Sequence, residues 1–140
     1  MSIYVGIDPG KNGGIGVVGG LTSWAYKMPA TDRDLWDLLS SLGTPEFVMV
    51  EKVASSPQMG VTSAFTFGRG YGFLCGVLTA LGVPWEQVTP QKWQKELGCL
   101  SGGDKNKTKA RAQQLFPNLK ITHALADALL IAEYCKRVRH

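Results

Sequence analysis

The feature that most constrains the fold is the stretch IYVGIDPGKNGGIGVV near the start of the chain. Residues 3–7 form an apolar run typical of a buried strand, and Asp8 ends it. Pro9 and Gly10 then turn the chain, and a second apolar run begins at Gly14. Links this short join antiparallel strands. Asp8 itself has two interpretations, because it could cap a turn or hold a cation at the edge of a sheet.

The rest of the chain alternates strands with helices. The pattern predicts strands over residues 3–8, 14–18, 21–28, 46–51 and 84–89. It predicts helices over residues 31–43, 62–81, 107–116 and 122–137, and a short one that opens at Thr89 and Pro90. This order predicts one α/β domain over residues 1–140, built on a five-stranded sheet of mixed direction. The first and fourth strands can then lie side by side, which would place Asp8 next to Glu51.

Length and cysteine content restrict the class of protein. A chain of 140 residues can bury a hydrophobic core without disulfides or structural metals. The three cysteines are widely spaced and form no CxxC pair, so neither a zinc site nor a disulfide framework is indicated. Asp8 interrupts the N-terminal apolar run and no run of 18 apolar residues occurs, so we expect no signal peptide and no membrane partner. The cysteine pattern fits a reducing, cytosol-like compartment best.

The charge is distributed unevenly along the chain. The net charge is +4. Residues 1–60 carry four Lys or Arg against six Asp or Glu, whereas residues 104–140 carry eight against three. A basic C-terminal part indicates a polyanionic partner, nucleic acid before membrane.

The last predicted helix contains a third notable acid. Asp127 interrupts an otherwise apolar surface of Ala and Leu, where a carboxylate is costly to bury unless a cation or a donor meets it. Alternatively, Asp127 faces solvent and favours the helix N-terminus through the macrodipole. Three acids brought together would suit Mg²⁺, which prefers hard oxygen ligands and can assist phosphodiester hydrolysis when two ions are bound.

Three motifs in order resemble the RuvC family of Holliday-junction resolvases, which has the RNase H-like fold with helices on both faces of the sheet. They are GIDPGKNGGIGVV, VMVEKV and HALADALLIA, and the phage and organelle type is the most similar. The segments FGRGYGFLCGVLTALGVP, VTPQKWQKELG and KNKTKARAQQLFP lie where that family has its dimer helix, a lysine-bearing turn and a basic helix.

The resemblance implies a homodimeric, Mg²⁺-dependent endonuclease that cuts four-way DNA junctions symmetrically, with two ions bound and Mn²⁺ as a possible substitute. It implies no small-molecule cofactor. We expect such an enzyme in the cytoplasm, at the nucleoid of a bacterial or phage-infected cell, or in an organelle. The residues that match the metal-binding and catalytic acids are Asp8, Glu51 and Asp127. The expected DNA-binding residues are Arg69, Lys92, Lys95, Lys105, Lys107, Lys109 and Arg111. The expected dimer-interface residues are Gly68, Gly72 and Gly76, whose alternative role is packing within the chain.

The chain departs from the family at three positions. Ala54 stands where bacterial members often have a Phe that wedges into the junction, and Gln94 where phage-type relatives often have Lys. Ala124 stands where many bacterial members have Asp or His, with His123 one residue earlier. His123 precedes Asp127 by four residues, so the two share a helix face. We expect it to act in catalysis, by proton transfer or by orienting water, although it could simply face solvent beside Thr122.

Two other functions are compatible with these motifs. One is an RNase H-like nuclease acting on RNA–DNA hybrids or structured RNA, and the other is a junction-binding module without catalysis. The glycine-spaced helix favours junction cleavage over the first, and the intact set of acids favours it over the second.

Overall fold

The computed structural model describes residues 2–139 and contains the ten predicted elements. The strands are β1 (Tyr4–Asp8), β2 (Gly14–Val18), β3 (Ser23–Lys27), β4 (Phe47–Glu51) and β5 (Trp85–Val88). The helices are α1 (Asp32–Ser41), α2 (Val61–Leu81), α3 (Pro90–Glu96), α4 (Lys105–Leu115) and α5 (His123–Arg139).

The five strands form one mixed sheet in the order β3-β2-β1-β4-β5. The tight links make β1, β2 and β3 antiparallel neighbours, whereas β4 and β5 run parallel to β1. The predicted adjacency of the first and fourth strands is confirmed, since Ile7 of β1 pairs with Val50 of β4. The mixed five-stranded α/β architecture is therefore as predicted.

Helices cover both faces of this sheet, because alternate residues of the central strands are buried on opposite sides. Val5 and Ile7 pack with Leu35 of α1 and Leu74 of α2 on one face. On the other face α5 lies across β1 and β2, and α3 and α4 pack against α5. The two hydrophobic layers pack against the sheet from both sides. They fix the backbone positions from which the side chains at its edge project.

Several boundaries differ from the predictions by one or two residues, and two of these differences have clear local reasons. The third strand begins at Ser23 instead of residue 21, because Leu21 is 90% exposed in a turn closed by the Gly19 amide donating to the Thr22 carbonyl. Helix α4 begins at Lys105 instead of residue 107, because the Asp104 side chain accepts a hydrogen bond from the Asn106 amide and caps the helix there.

The other caps agree with the sequence. The Thr31 hydroxyl accepts from the Asp34 amide at 3.1 Å, and Gly43 follows α1 with a positive φ of 77°. Thr122 lies directly before α5, and its carbonyl accepts from the Leu125 and Ala126 amides. Among residues 2–139, no helix combines the length and the hydropathy needed to cross a bilayer.

Candidate active site

Two carboxylates lie at one edge of the sheet. Asp8 ends β1 and Glu51 ends the parallel neighbour β4, in register with each other. The chain leaves Asp8 through a tight turn in which Gly10 has a φ of 103° and its carbonyl accepts from the Gly13 amide at 3.0 Å. Both acids are half-buried, because each follows a fully buried run of its strand.

Glycines in the first two strands bring α5 against this edge. A Cβ on Gly16 would lie 2.6 Å from the Ala128 carbonyl oxygen, and a Cβ on Gly6 would lie 2.5 Å from the same atom. Real Cβ atoms do not come this close to backbone, so only glycine permits the observed approach of helix to strand. This close packing positions Asp127, which directly precedes Ala128 in α5, beside the end of β1.

A polar cleft of about 260 Å³ lies where these elements meet. Its lining residues come from the β1–β2 turn, the first turns of α4 and the first turns of α5. They are Asp8, Asn12, Lys105, Thr108, His123, Ala124 and Asp127. The predicted acids Asp8 and Asp127 and the predicted His123 therefore share one cavity.

Asp8 has the most perturbed carboxyl group of the site. Burial and, to a smaller extent, the negative charges of Glu51 and Asp127 together raise its pKa to about 8, although Lys105 opposes them. The burial and the like charges act together, since both disfavour the ionised form. The surroundings of Asp8 therefore disfavour its ionised form as long as no further cation is present.

The two other acids have different partners. Burial raises the pKa of Asp127, whereas the nearby Thr108 hydroxyl, Lys105 and His123 lower it. Burial also raises the pKa of Glu51, and the Trp93 indole, which donates from Nε1 to its Oε2 at 2.8 Å, lowers it. Trp93 is fully buried, so this hydrogen bond holds the Glu51 side chain to one side of the cleft.

No metal-binding cluster is preformed in the described residues. Across positions 2–139, no three His, Cys, Asp or Glu side chains are close enough together to hold an ion, and Glu51 faces Trp93 instead of lining the cleft. The donor set nevertheless suits a hard cation, because the acids offer oxygen ligands. Their raised pKa values also indicate a carboxylate group that a bound cation would stabilise.

Lys105 has a different location from the other basic residues. It was expected to contact phosphates as part of a basic helix, and the structure places it in the cleft with Asp8 and Asp127. Its backbone carbonyl accepts from the Thr108 hydroxyl at 3.2 Å, and Thr108 is itself buried. The first turn of α4 therefore belongs to the site.

The remaining predicted DNA-binding residues lie outside the cleft. Lys92, Lys95 and Lys107 are exposed and Lys109 is half-buried. Two arginines are engaged within the chain. The Arg111 Nε donates to the Leu97 carbonyl at 2.8 Å, and Arg69 forms an ion pair with Asp32. A role for these side chains in binding DNA stays a prediction.

The glycines of α2 point away from the chain. A Cβ added at Gly68, Gly72 or Gly76 would meet no atom of residues 2–139 within 4 Å. Within residues 2–139, these glycines therefore make no close packing contact with another element, which was the alternative role considered for them. Val61 and Phe65, which precede them in the same helical register, are 89% and 75% exposed.

Sequence reasoning did not assign site roles to Asn12, Trp93 and Thr108. Asn12 lies in the short turn that follows Asp8, so its position in the sequence could have predicted that it lines the same cleft. Thr108 lies three residues after Lys105, on the same helix face. Trp93 contacts Glu51 across 42 positions in sequence, and only the tertiary structure brings them together.

Comparisons with known proteins agree with this architecture. No family model matches the sequence, and no curated protein sequence matches it. Similar solved structures include Thermus thermophilus RuvC in complex with Holliday junction substrate, at a TM-score of 0.67 and 21% identity, covering 99% of this chain and 96% of that one. The fowlpox virus resolvase, solved with Holliday junction DNA, has a TM-score of 0.57 at 11% identity, with coverage of 98% and 99%. The yeast mitochondrial Holliday junction resolvase has a TM-score of 0.53 at 11% identity, with coverage of 96% and 79%. The predicted RuvC-like, RNase H-like fold is confirmed.

Proposed function

We propose that this chain is a structure-selective endonuclease, a Holliday-junction resolvase that cleaves four-way DNA junctions by metal-assisted hydrolysis of phosphodiesters. The observation that carries the proposal is the cleft in which Asp8 and Asp127 lie with Lys105 and His123. The fold supports it, because similar structures include proteins solved with Holliday junction DNA.

The acids would hold the cation that the reaction needs. Asp8, Glu51 and Asp127 are the residues that would bind Mg²⁺, two ions by preference, and Mn²⁺ would suit the same oxygen ligands. A bound divalent ion would make water a stronger nucleophile and would stabilise the charge that develops on the phosphate. Glu51 would have to leave the Trp93 indole or share its carboxylate with it, since one oxygen accepts from Nε1 in this structure.

The chain's own residues would carry the remaining chemistry. The water oxygen forms a bond to phosphorus while the bond from phosphorus to one bridging deoxyribose oxygen breaks. We assign to His123 the removal of the water proton or the orientation of that water, because it lies in the cleft with Asp127. Lys105 would stabilise the negative charge of the phosphate, since it is the cation that already offsets Asp8 and Asp127.

Symmetric cleavage requires two sites, and a homodimer would supply them. Helix α2 is apolar on most of its surface, yet only Leu74, Val77 and Leu78 are buried along its 21 residues. A helix with apolar residues on all sides is normally covered on all sides. A second copy packed on the face formed by Gly68, Gly72 and Gly76 would cover it.

The basic surface outside the cleft would bind the junction arms. Lys92, Lys95, Lys107 and Lys109 would contact phosphates, which supply affinity without sequence information. We also propose that the protein is located with its DNA substrate, at the chromosomal or phage DNA in the cytoplasm or in an organelle.

A cleavage assay with three substrates tests the proposal. We expect the protein to cut an immobile four-way junction in Mg²⁺, and to leave a linear duplex and an RNA–DNA hybrid intact. Preferential cutting of the hybrid would instead indicate an RNase H-type activity, and junction binding without any cutting would indicate a binding module.

Three variants test the assignment of the acids. Asp8→Asn, Glu51→Gln and Asp127→Asn should each abolish cleavage and leave junction binding intact, because each removes one carboxylate and none of the lysines. Asp37→Asn is the matched control, since Asp37 is an exposed acid paired with Arg33 on α1. A variant that still cuts at nearly the wild-type rate would remove its residue from the site.

A further inference from the structure

We propose that Gln94 is a positioning residue that orders the loop before α4 and so holds Lys105 in the cleft. This inference rests on the proposed function, because Lys105 is assigned there to the phosphate. Gln94 itself is not among the residues that line the cleft. It would act through Lys105.

The loop that Gln94 contacts would otherwise be difficult to order. Residues 98–104 connect α3 to α4, and Gly98, Gly102 and Gly103 have φ values of 69°, 61° and 96°. Glycine loses more conformational freedom than any other residue when it is fixed. A loop with three such positions needs specific contacts to keep one conformation.

The Gln94 side chain supplies two of those contacts from one atom. Its Oε1 accepts from the Ser101 amide at 3.1 Å and from the Ser101 hydroxyl at 3.1 Å. Both hydrogen bonds are partly buried, where bonds of this kind are protected from exchange with water. The centre of the loop is thereby tied to the body of α3.

Ser101 passes this constraint on toward Lys105. Its hydroxyl oxygen accepts from the Gly103 amide at 3.2 Å, and its carbonyl accepts from the Asp104 amide at 3.2 Å. Asp104 is the N-cap of α4, and its side chain accepts from the Asn106 amide at 3.0 Å. A continuous series of hydrogen bonds therefore leads from Gln94 to the residue that precedes Lys105.

The backbone at this point matters because a lysine side chain is flexible. Its long stem loses considerable rotamer freedom when the ammonium group is held in one place. The cap at Asp104 and the Thr108 hydroxyl, which donates to the Lys105 carbonyl, fix where that stem begins. Loosening the loop would widen the range of positions available to the Lys105 ammonium group.

The test compares Gln94→Met with Gln94→Glu. Methionine keeps the length of the side chain and removes the strong acceptor, whereas glutamate keeps an acceptor oxygen. We expect Gln94→Met to speed amide hydrogen exchange at Ser101 and Gly103 and to lower the single-turnover cleavage rate about 10–100-fold, as is typical of supporting residues around a site. Junction affinity should stay unchanged, and Gln94→Glu should retain most of the protection and of the activity. Gln91→Met is the matched control, on an exposed position of α3, and should change neither.

A double variant tests whether Gln94 acts through Lys105. In a Lys105→Met background, adding Gln94→Met should lower the rate no further, because the group it positions is already gone. Additive losses, or unchanged exchange at Ser101 and Gly103 in the single variant, would overturn the inference. If the wild-type protein cut no junction, the proposed function would fail by itself. The exchange measurements would then decide whether Gln94 orders the loop, and unchanged exchange would again overturn the inference.

Discussion

At the scale of single residues, Asp8 connects the stability of the protein to its chemistry. Its pKa is raised to about 8 in the folded chain by burial and by Glu51 and Asp127, whereas an Asp in an unfolded chain has a pKa of about 3.9. Between these values the folded state binds more protons than the unfolded state. The free energy of unfolding therefore falls as pH rises from about 4 to about 8.

Replacing Asp8 by a neutral residue should remove this loss of stability. In a chelating buffer at pH 8, Asp8→Asn should raise the free energy of unfolding by at least about 1.4 kcal/mol, the equivalent of one pKa unit. Near pH 4 the gain should disappear, because the wild-type carboxyl is then protonated in the folded state. Urea unfolding at both pH values measures the difference.

A matched control and a metal titration sharpen this experiment. Asp37→Asn, at an exposed position of α1, should show no comparable gain at pH 8. Mg²⁺ should stabilise the wild-type protein at pH 8 more than the Asp8→Asn variant, since an ion that binds only the folded state raises its stability. If pH changed the free energy of unfolding equally in the wild-type protein and in Asp8→Asn, Asp8 would ionise in the folded state at an ordinary pH.

The position of His123 gives a second prediction at this scale. It lies in the cleft, and its charge lowers the pKa of Asp127. His123→Ala should slow junction cleavage about 10²–10⁴-fold, the usual contribution of general acid–base catalysis, with binding unchanged. His123→Asp should restore part of the activity, because a carboxylate can also accept the proton of water. If His123→Ala cleaved junctions within a few-fold of the wild-type rate, His123 would have no catalytic role and the acids alone would form the site.

At the scale of elements, the position of α5 depends on the glycines of the sheet. A Cβ at Gly14 would lie 2.8 Å from the Ala124 carbonyl oxygen, and one at Gly16 would lie 2.6 Å from that of Ala128. These atoms belong to helix backbone and cannot rotate away. The helix that carries Asp127 therefore lies as close to β2 as the chain permits.

Gly16→Ala should displace this helix. We expect the free energy of unfolding to fall by about 1–3 kcal/mol, as in other overpacked cores. The cleavage rate should fall as well, because a displacement of about 1 Å at a reacting group can cost 10²-fold. Chemical unfolding and single-turnover kinetics measure the two effects.

Gly70→Ala is the control for this substitution. It also lies within an element, on α2, but an added Cβ there meets nothing within 4 Å in the described chain. It should be neutral or slightly stabilising, since alanine favours a helix over glycine by about 0.8–1 kcal/mol. Equal losses from the two substitutions would mean that the contact of β2 with α5 is not the cause.

At the scale of the whole molecule, α2 leaves two large apolar side chains uncovered. One side of it contacts the sheet through Leu74 and Leu78, while Val61 and Phe65 are exposed on the other side. The same outward side continues through the glycines at 68, 72 and 76. A face of this kind can approach a second helix backbone closely. In a symmetric dimer the same face of a second copy would lie against it.

Gly72→Leu should therefore produce a folded monomer that binds junctions weakly. The leucine meets no clash in its own chain within 4 Å, as far as residues 2–139 extend, but it would separate two closely packed helices. Light scattering measures the mass, and circular dichroism measures the retained fold. Gly70→Leu, on a different side of α2 where Gly70 lines a groove together with Phe67 and Tyr71, should stay dimeric. A dimeric Gly72→Leu variant would place the interface elsewhere.

Local sequence pattern was sufficient to predict the ten elements and the position of Asp8 and Glu51 at the ends of neighbouring strands. Asp8 and Glu51 each end an apolar run, and the short links around β2 leave few ways to order the strands, so their adjacency followed from chain connectivity. Asp127 stood out because it interrupts an apolar helix. These features depend on residues that are neighbours in sequence, and sequence patterns report such neighbours directly.

The orientation of the side chains depended on contacts between distant segments. The Trp93 indole holds the Glu51 carboxylate across 42 positions, and Lys105 enters the cleft because Asp104 starts α4 two residues earlier than its apolar pattern indicates. The glycines that allow α5 to approach the sheet are in β1 and β2, whereas a Cβ added to the glycines of α2 would meet no other element within 4 Å in the described residues. Periodicity shows which face of an element is apolar, but only packing in three dimensions decides what that face meets and where a polar group beside it can turn.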